Sequence, residues 1–215
     1  MKVEKIYPKG FAANSYIVTC DACTGLAVVV DPAQPRIAEE LEKRSLTPVC
    51  VLLTHAHFDH VGGAAALQAM GAKIFCSEKE KALVGTRADL FDTAGIPRVP
   101  FTVDGTLRDG EILNVCGLSV RAVSTPGHTA GGMSYLIRDE GKAQETKEKA
   151  ALFTGDTLFA GSVGRTDFPT GNVGELRESL KKLAALDGDY PVFPGHEEDT
   201  TLNEERQKNP FLRDA

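Results

Sequence analysis

Tryptophan is absent from the 215-residue sequence, and aromatic residues make up only 7% of it. Basic side chains are fewer than acidic ones, 24 against 30, which gives a formal net charge of −6. They also form no cluster along the chain. Proteins that bind nucleic acid set clustered cations against phosphates and aromatic rings against bases, and anionic membranes also attract clustered cations. We therefore expect neither nucleic acid nor a membrane among the partners of this chain.

Long apolar runs are missing as well. No stretch approaches the ~20 apolar residues of a membrane-spanning helix, and the N-terminal MKVEKIYPKG lacks the apolar core of a signal peptide. The five cysteines are odd in number and scattered, which is typical of reduced thiols in a cytoplasmic protein. Cys20 and Cys23 form a CxxC. Because neither a second cysteine pair nor a thioredoxin-like βαβ pattern accompanies it, we interpret it as a turn between two strands.

Segments typical of strands and of helices alternate along the chain. Residues 85–110 are rich in Gly, Pro and Asp and carry no clear pattern, and the charged stretch 138–150 is expected to be the exposed loop of a hairpin. The alternation predicts an α/β or α+β fold with a sheet at its core, and the length suits one large domain or two small ones. We predict strands at 14–20, 26–32, 48–55, 72–77, 111–115, 118–125, 133–138, 150–156 and 190–196, and helices at 35–44, 60–71, 173–186 and 200–208.

Histidine is scarce, with five residues in the chain, yet three of them lie between His55 and His60. His55 and His57 follow an apolar strand. Alternate residues of an extended chain point the same way, so both side chains are able to bind one metal ion. Asp59 and His60 come next, where the predicted helix begins, and the turn is expected to direct them into the same cavity. The sequence thus predicts a strand-to-helix loop that carries four metal ligands.

The other two histidines and one aspartate occupy similar positions. His128 and His196 each follow Pro-Gly after a predicted strand, and Asp156 follows a strand and a glycine. Strand ends are where sites collect in sheet-based folds. Imidazole and carboxylate without cysteine suit Zn²⁺, with iron or Mn²⁺ as alternatives. Five histidines and two aspartates exceed what one ion needs, which favours two ions that share a bridging carboxylate.

The His-x-His-x-Asp-His motif at 55–60, with further ligand-type residues at 128, 156 and 196, resembles the metallo-β-lactamase fold superfamily over nearly the whole chain. The resemblance implies a four-layer αββα sandwich that forms a single domain over residues 1–215, with the site at one edge of the paired sheets. It also implies two divalent metal ions. The implied ligands are His55, His57 and His128 for one ion, Asp59, His60 and His196 for the other, and Asp156 as the bridge.

Three features narrow the resemblance within the superfamily. Asp156 stands where the true β-lactamases lack a bridging aspartate, and His57 stands where the diiron electron-transfer relatives carry glutamate. The segments LFAGSVGRTDFPTGN (158–172) and TTLNEERQKNPFL (200–212) are similar to the short, single-domain glyoxalase II-like hydrolases. Full-length glyoxalase II has a further helical C-terminal domain that binds glutathione. The sequence after His196 is too short for that domain, so the resemblance leaves the thiol carrier open.

The resemblance therefore implies a thioesterase that acts on hydroxyacyl-glutathione or a similar small acyl thioester through a hydroxide bridging two ions. We expect Asp59 to orient this hydroxide and to take its proton. A thiolate, with a pKa of about 8.5, leaves without a strong general acid, which favours a thioester over a lactam. The alternative is a persulfide dioxygenase. That family shares the Gly-Arg-Thr-Asp motif found at Gly164–Asp167. It binds a single iron through positions matching His55, His128 and Asp156.

Three further residues have two interpretations each. Asp31 ends a strand, and it either accepts a hydrogen bond from a ligand histidine or caps a helix or turn. Arg165 either pairs with Asp167 to shape a loop beside the site or binds a substrate carboxylate. Phe168 is expected to belong to the wall of the site or to the core rather than to make a specific contact.

Overall fold

The structure is a computed structural model that describes residues 1–142 and 150–213, and two six-stranded sheets form its centre. The first sheet contains, in spatial order, β1 (Lys2–Ile6), β2 (Ser15–Thr19), β3 (Leu26–Val30), β4 (Thr47–Leu52), β5 (Lys73–Cys76) and β6 (Gly105–Thr106). The second contains β7 (Ile112–Val115), β8 (Leu118–Ser124), β9 (Met133–Asp139), β10 (Ala150–Gly155), β13 (Pro191–Pro194) and β14 (Thr200–Thr201). A small separate hairpin pairs β11 (Leu158–Phe159) with β12 (Ser162–Val163).

Helices connect these strands and cover the outer faces of both sheets. The α-helices are α1 (Ile37–Lys43), α2 (Phe58–Val61), α3 (Ala64–Ala69), α4 (Glu78–Lys81), α5 (Phe91–Ala94), α6 (Val173–Ala184), α7 (Leu202–Lys208) and α8 (Pro210–Arg213). Short 3₁₀ helices lie at Asp21–Cys23, Arg87–Asp89 and Glu140–Lys142.

The first sheet has a parallel half and an antiparallel half. β3, β4 and β5 pair in parallel, and such strands are covered on both faces, which explains why β3 is the continuous apolar run LAVVV. β1 and β2 complete the sheet by antiparallel pairing. The sequence pattern did not predict β1, because its charged residues (KVEKI) lie on an edge strand, where charge discourages pairing with other chains.

The second sheet runs in the order β14-β13-β10-β9-β8-β7. β9 and β10 pair antiparallel, as the two arms of the predicted hairpin should. Most of the predicted hairpin loop, residues 143–149, lies outside the described residues. β13 pairs in parallel with β10, so the chain crosses over between them, and α6 forms part of that crossover. The carboxyl ends of β8, β10 and β13 therefore share one edge of the sheet.

Three apolar clusters fill the spaces between four layers. One lies between the first sheet and its covering helices, with Leu41 of α1 and Leu67 of α3 among its members. A second lies between the sheets and includes Leu52 and Tyr135. A third lies between the second sheet and α6, around Leu180. This layering confirms the αββα sandwich that the sequence predicted.

The predicted helix over 60–71 was wrong in one respect, because it is two short helices, α2 and α3, separated at Gly62 and Gly63. The loop after β3 passes directly over this break. A Cβ atom on Gly62 would lie 2.5 Å from the carbonyl oxygen of Ala33, and one on Gly63 would lie 2.5 Å from that of Gln34. The two glycines therefore let the backbone of the two loops pack together, and the helix is interrupted where they meet.

The cysteines follow the interpretation made from the sequence. All five are free thiols, and Cys20 and Cys23 flank a 3₁₀ turn that joins β2 to β3. Over residues 1–142 and 150–213, none of the helices has both the length and the apolar character needed to cross a membrane. The cytoplasmic location and the single-domain organisation stay predictions.

We expect Phe153→Ala to lower the free energy of unfolding by about 3–5 kcal/mol, measured by urea denaturation at fixed metal content. Phe153 lies fully buried between the sheets, where its ring stacks on Phe193 at 5.2 Å and meets Tyr16 edge-on at 5.3 Å. Ile112→Ala is the control, since Ile112 is 58% exposed on β7. A loss below about 1 kcal/mol for Phe153→Ala would show that the two sheets do not depend on this packing.

Candidate metal centre

The ends of four strands bring seven titratable side chains to one edge of the sandwich. His55 and His57 follow β4, and α2 carries Asp59 and His60. The others follow strands of the second sheet: His128 after β8, Asp156 after β10 and His196 after β13. We call these seven residues the His/Asp cluster. Both sheets contribute to it, so their packing fixes its shape.

The cluster divides into two groups of three around one carboxylate. Candidate ligand atoms lie within 4.8 Å of one another in the group His55, His57, His128 and in the group Asp59, His60, His196. Asp156 lies between these groups, because its Oδ2 is 3.6 Å from Nε2 of both His128 and His196. Its Oδ1 is 3.2 Å from Nε2 of His60. A third set of candidate ligand atoms within the same distance, from His55, His60 and Asp156, joins the two groups, so the assignment of ligands to individual ions stays a prediction.

Distances inside the cluster fit metal coordination. Nδ1 of His57 lies 3.0 Å from Nε2 of His128, and Nε2 of His196 lies 3.2 Å from Oδ2 of Asp59. Ligands about 2.0–2.1 Å from a tetrahedral ion are separated from one another by about 3.3 Å. The donor atoms are thus already spaced as neighbours in a first coordination sphere.

Several polar atoms of the cluster are buried without a hydrogen-bond partner among the described residues. They are Nε2 of His55, His57 and His60, and Oδ1 of Asp156. Leaving such an atom unsatisfied costs about 1–3 kcal/mol, so isolated examples need an explanation. Those of His55, His60 and Asp156 fit a centre whose lone pairs face divalent ions, whereas His57 directs Nδ1 toward His128 and its Nε2 lies on the other side of the ring.

Hydrogen bonds outside the cluster fix the tautomers of two histidines. Nδ1 of His55 lies 3.1 Å from Oγ1 of Thr54, whose own proton goes to Asp31, and Nδ1 of His128 lies 2.8 Å from the carbonyl oxygen of Arg165. Both oxygens accept, so each Nδ1 carries the proton. Each Nε2 then has its lone pair directed into the cluster, as a metal ligand requires.

Asp31 makes the contact that one of its two interpretations required. Its Oδ2 accepts a hydrogen bond from Nδ1 of His60 at 2.9 Å and from the hydroxyl of Thr54 at 2.6 Å, and its Oδ1 accepts from the Thr54 backbone N–H at 2.8 Å. It caps no helix, since α1 begins after Arg36. Asp31 also has a φ of +48°, an uncommon value outside glycine, which fits a residue held in place by its contacts.

The second Pro-Gly-His segment needs its glycine for space. A Cβ atom on Gly195 would collide with Oδ1 of Asp156 and with the ring of His60. The backbone N–H of Gly195 donates to the carbonyl of Gly155, next to Asp156. Glycine therefore allows the loop that carries His196 to lie directly against the centre of the cluster.

Burial and neighbouring charges set the protonation of the cluster. Burial, together with the nearby imidazoles, lowers the pKa of His57 to about 3 and that of His55 well below its usual value, so both are neutral at pH 7. Burial opposes charge on His60, but three carboxylates outweigh it and raise the pKa of His60. Burial likewise opposes ionisation of Asp156, yet the surrounding histidines hold its pKa well below the ordinary range. The cluster thus combines neutral imidazoles at His55 and His57 with an ionised carboxylate at Asp156, the forms that bind metal ions, whereas His60 would give up a proton on binding one.

Sequence reasoning missed Glu80, a buried carboxylate that connects two ligand loops. Its Oε1 accepts a hydrogen bond from the backbone N–H of Ala56 at 2.8 Å, between His55 and His57. Its Oε2 accepts from the hydroxyl of Thr129 at 2.8 Å, next to His128. Burial raises the pKa of Glu80 to about 7. No local pattern marks this role, because Glu80 lies in the charged run SEKEK (77–81), which is typical of an exposed helix.

The remaining two candidates lie beside the cluster. Arg165 and Asp167 form two hydrogen bonds of 2.6 Å, and both side chains are exposed, so the loop-shaping interpretation of Arg165 describes its contact in this structure. The guanidinium also stacks over Phe168 at 4.0 Å. The ring of Phe168 meets His57 edge-on at 5.8 Å, which places it in the wall of the site.

Comparisons with known proteins agree with this arrangement. The family model described as the Metallo-beta-lactamase superfamily matches residues 8–196. The chain is 35% identical over 219 residues to the hydroxyacylglutathione hydrolase GloC of Haemophilus influenzae, which covers 99% of this chain and 98% of that protein.

Solved structures give the same picture. The B3 metallo-beta-lactamase BLEG-1 superimposes with a TM-score of 0.83 at 30% identity, covering 98% of this chain and 99% of that one. TTHA1623 in a di-iron-bound form superimposes with a TM-score of 0.78 at 30% identity, covering 98% of this chain and 100% of that one. ETHE1 from Myxococcus xanthus superimposes with a TM-score of 0.74 at 26% identity, covering 98% of this chain and 84% of that one.

We expect Glu80→Gln to weaken metal retention by about 10–100-fold, the usual effect of removing a group that orients ligands. The amide nitrogen of glutamine cannot accept from the Ala56 N–H, and if it faces Thr129 instead, the Thr129 hydroxyl has to turn its proton away and accept, so one of the two connections changes in either orientation. The measurement is the zinc concentration at half-loading during competition with a chromophoric chelator. Glu78→Gln, on the exposed face of the same helix, is the matched control. Equal retention in both variants would mean that Glu80 does not position the ligand loops.

Proposed function

The chain belongs to the metallo-beta-lactamase superfamily, and on that premise we propose that it is a dinuclear metal-dependent hydrolase that cleaves hydroxyacyl-glutathione or a similar small acyl thioester. The observation that carries the proposal is the Asp156 carboxylate, whose Oδ2 is 3.6 Å from a histidine of each group. One carboxylate placed between two complete ligand sets suits two ions better than one. The similarity to GloC supports the substrate class.

The His/Asp cluster and the superfamily together imply divalent metal ions. We assign His55, His57 and His128 to one ion, Asp59, His60 and His196 to the other, and Asp156 to both. Zn²⁺ suits these nitrogen and oxygen donors, and iron or Mn²⁺ would also be accepted. Such ions, when bound, polarise a carbonyl oxygen and lower the pKa of water to near neutrality.

In this proposal Asp59 is the residue that handles the proton. Its side chain is 16% exposed, and its Oδ2 faces His196, which at 33% is the most exposed ligand candidate. The cluster therefore opens to solvent on the side where these two residues lie. Neighbouring imidazoles lower the pKa of Asp59 despite its burial, so the carboxylate is ionised at neutral pH. An ionised carboxylate at the open side is placed to orient the attacking water and accept its proton.

The leaving group explains why no further acid is needed. Hydrolysis adds water across the carbonyl–sulfur bond and gives a carboxylate and a thiol. The sulfur leaves as a thiolate, whose conjugate acid has a pKa of about 8.5, and takes up a proton from solvent afterwards. The partner is then a small-molecule thioester, with no role for nucleic acid or a membrane surface.

A mononuclear iron persulfide dioxygenase is the second candidate. The similarity to ETHE1, at 26% identity, is the observation that favours this candidate. It would use His55, His128 and Asp156 alone. The Asp59, His60 and His196 group would then have no ligand function, although its candidate ligand atoms also lie within 4.8 Å of one another.

The number of ions per chain separates the two candidates. We expect elemental analysis of protein purified without added metal or chelator to give about two ions per chain, zinc or zinc with iron. His196→Ala, which removes one ligand of the second group only, should lower this number toward one. A parent protein with one iron per chain that takes up no zinc from excess would contradict the dinuclear proposal and favour persulfide oxidation.

We expect Asp59→Asn to lower kcat for S-lactoylglutathione by about 10²–10⁴-fold, the range for loss of a general base. Metal content is measured on the same samples, because Asp59 is also a proposed ligand. Glu178→Gln, an exposed carboxylate on α6, is the control. Turnover at the parent rate in Asp59→Asn with both ions retained would show that Asp59 has no role in proton transfer.

A further inference from the structure

We propose that an apolar groove beside the His/Asp cluster binds the acyl chain of the substrate, so that the enzyme prefers medium-length apolar acyl groups such as hexanoyl to lactoyl. The inference rests on the proposed thioesterase function and goes beyond it by specifying the acyl group. The groove lies between the β1–β2 loop and the segment after α5 and has a volume of about 500 Å³. A lactoyl group, with three carbons, would leave most of that space to water.

The groove adjoins the cluster at Asp59, the member of the cluster that is among its lining residues. Asp59 and Phe58, the first two residues of α2, form part of its wall, so a carbonyl carbon near Asp59 has the groove directly beside it. The β1–β2 loop is also fixed to the site. The backbone N–H of Ala13 donates to the carbonyl of Asp59 at 3.0 Å, and that of Asn14 donates to the carbonyl of Gly195 at 2.7 Å. The wall formed by the β1–β2 loop is therefore held at a set distance from the reacting atoms.

The lining is apolar, and much of it is exposed to solvent. Phe11, at the turn of the β1–β2 loop, is 93% exposed, and Ile96 and Val99 across the groove are 44% and 57% exposed. The rings of Phe58 and Phe91 meet edge-on at 6.1 Å at the base. Exposed apolar side chains that converge on one groove mark a binding site for an apolar group, because covering them removes that surface from water.

Charge decides which end of the substrate fits. Among the lining residues only Lys9 and Asp59 carry charge, and Lys9 is exposed at the rim. Glutathione has two carboxylates and an ammonium group. Lys9 at the rim could pair with only one of the carboxylates, so placing the carrier along this groove would remove water from the other charged groups without providing partners. The thiol carrier must therefore point away from the groove, and the acyl chain enters it.

Binding of uncleavable thioethers tests the groove without relying on turnover. S-hexylglutathione and S-methylglutathione share one carrier and differ by five methylenes. Full burial of a methylene contributes about fourfold in affinity, so half-burial in an open groove contributes about twofold, or about 30-fold over five methylenes. We expect that ratio for the metal-loaded parent protein by calorimetry. Phe11→Ser/Ile96→Ser should reduce it at least about fivefold, because both side chains that form the rim are then polar and short.

The control is Ile112→Ser/Val173→Ser, which removes two exposed apolar side chains outside the groove and should leave the ratio unchanged. Equal affinity of the parent protein for both thioethers would overturn the inference, as would a ratio that survives in Phe11→Ser/Ile96→Ser. Rates with hexanoyl- and acetyl-glutathione are measured in parallel. A groove-dependent ratio without hydrolysis of either thioester would support the groove and reject the proposed hydrolase. Hydrolysis of both thioesters, with equal affinity for the two thioethers, would support the proposed hydrolase and reject the groove.

Discussion

Burying unpaired lone pairs at the edge of two sheets is the constraint on which the site depends. His55, His57 and His60 are at most 3% exposed, and each has a ring nitrogen without a partner among the described residues. Burying several unpaired ring nitrogens together is unfavourable unless a positively charged group, such as a metal ion, lies among them. The surrounding structure is arranged to hold the rings in that state. Thr54, Asp31 and the carbonyl of Arg165 accept the Nδ1 protons of His55, His60 and His128 respectively, which leaves Nε2 of each of these rings free to bind.

The two sheets supply what a single loop could not. Ligand candidates from β4 and α2 belong to the first sheet, and those from β8, β10 and β13 to the second. Glu80 connects the two sets, because it accepts from Ala56 on one side and from Thr129 on the other. The distances within the cluster are therefore set by the packing of rigid layers, which suits a centre that needs its ligands placed to within a fraction of an ångström.

Much of this was predictable because the relevant patterns are local. The spacing of His55, His57, Asp59 and His60, and the repeated Pro-Gly-His, mark strand ends within a few residues, and the structure brings all seven predicted side chains together. What was missed depends on contacts between distant positions. Glu80 is 24 residues from Ala56 and 49 from Thr129, and its sequence context is that of a solvent-exposed helix. Likewise, the break at Gly62 and Gly63 is caused by a backbone contact with the loop after β3, and local helix propensity carries no trace of it. The choice between the two interpretations of Asp31 also needed the position of His60.

Because the cluster takes ligands from both sheets, occupation of the site and integrity of the fold are thermodynamically linked. Anything that binds only the native state adds RT ln(1 + [L]/Kd) to its stability, about 2.7 kcal/mol when the free ligand is at 100 times Kd. Unfolding the sandwich would separate the two sets of ligands and release whatever they hold. If the cluster holds divalent ions, the melting temperature of this protein therefore also reports how fully the site is occupied, and protein short of metal would unfold at a lower temperature.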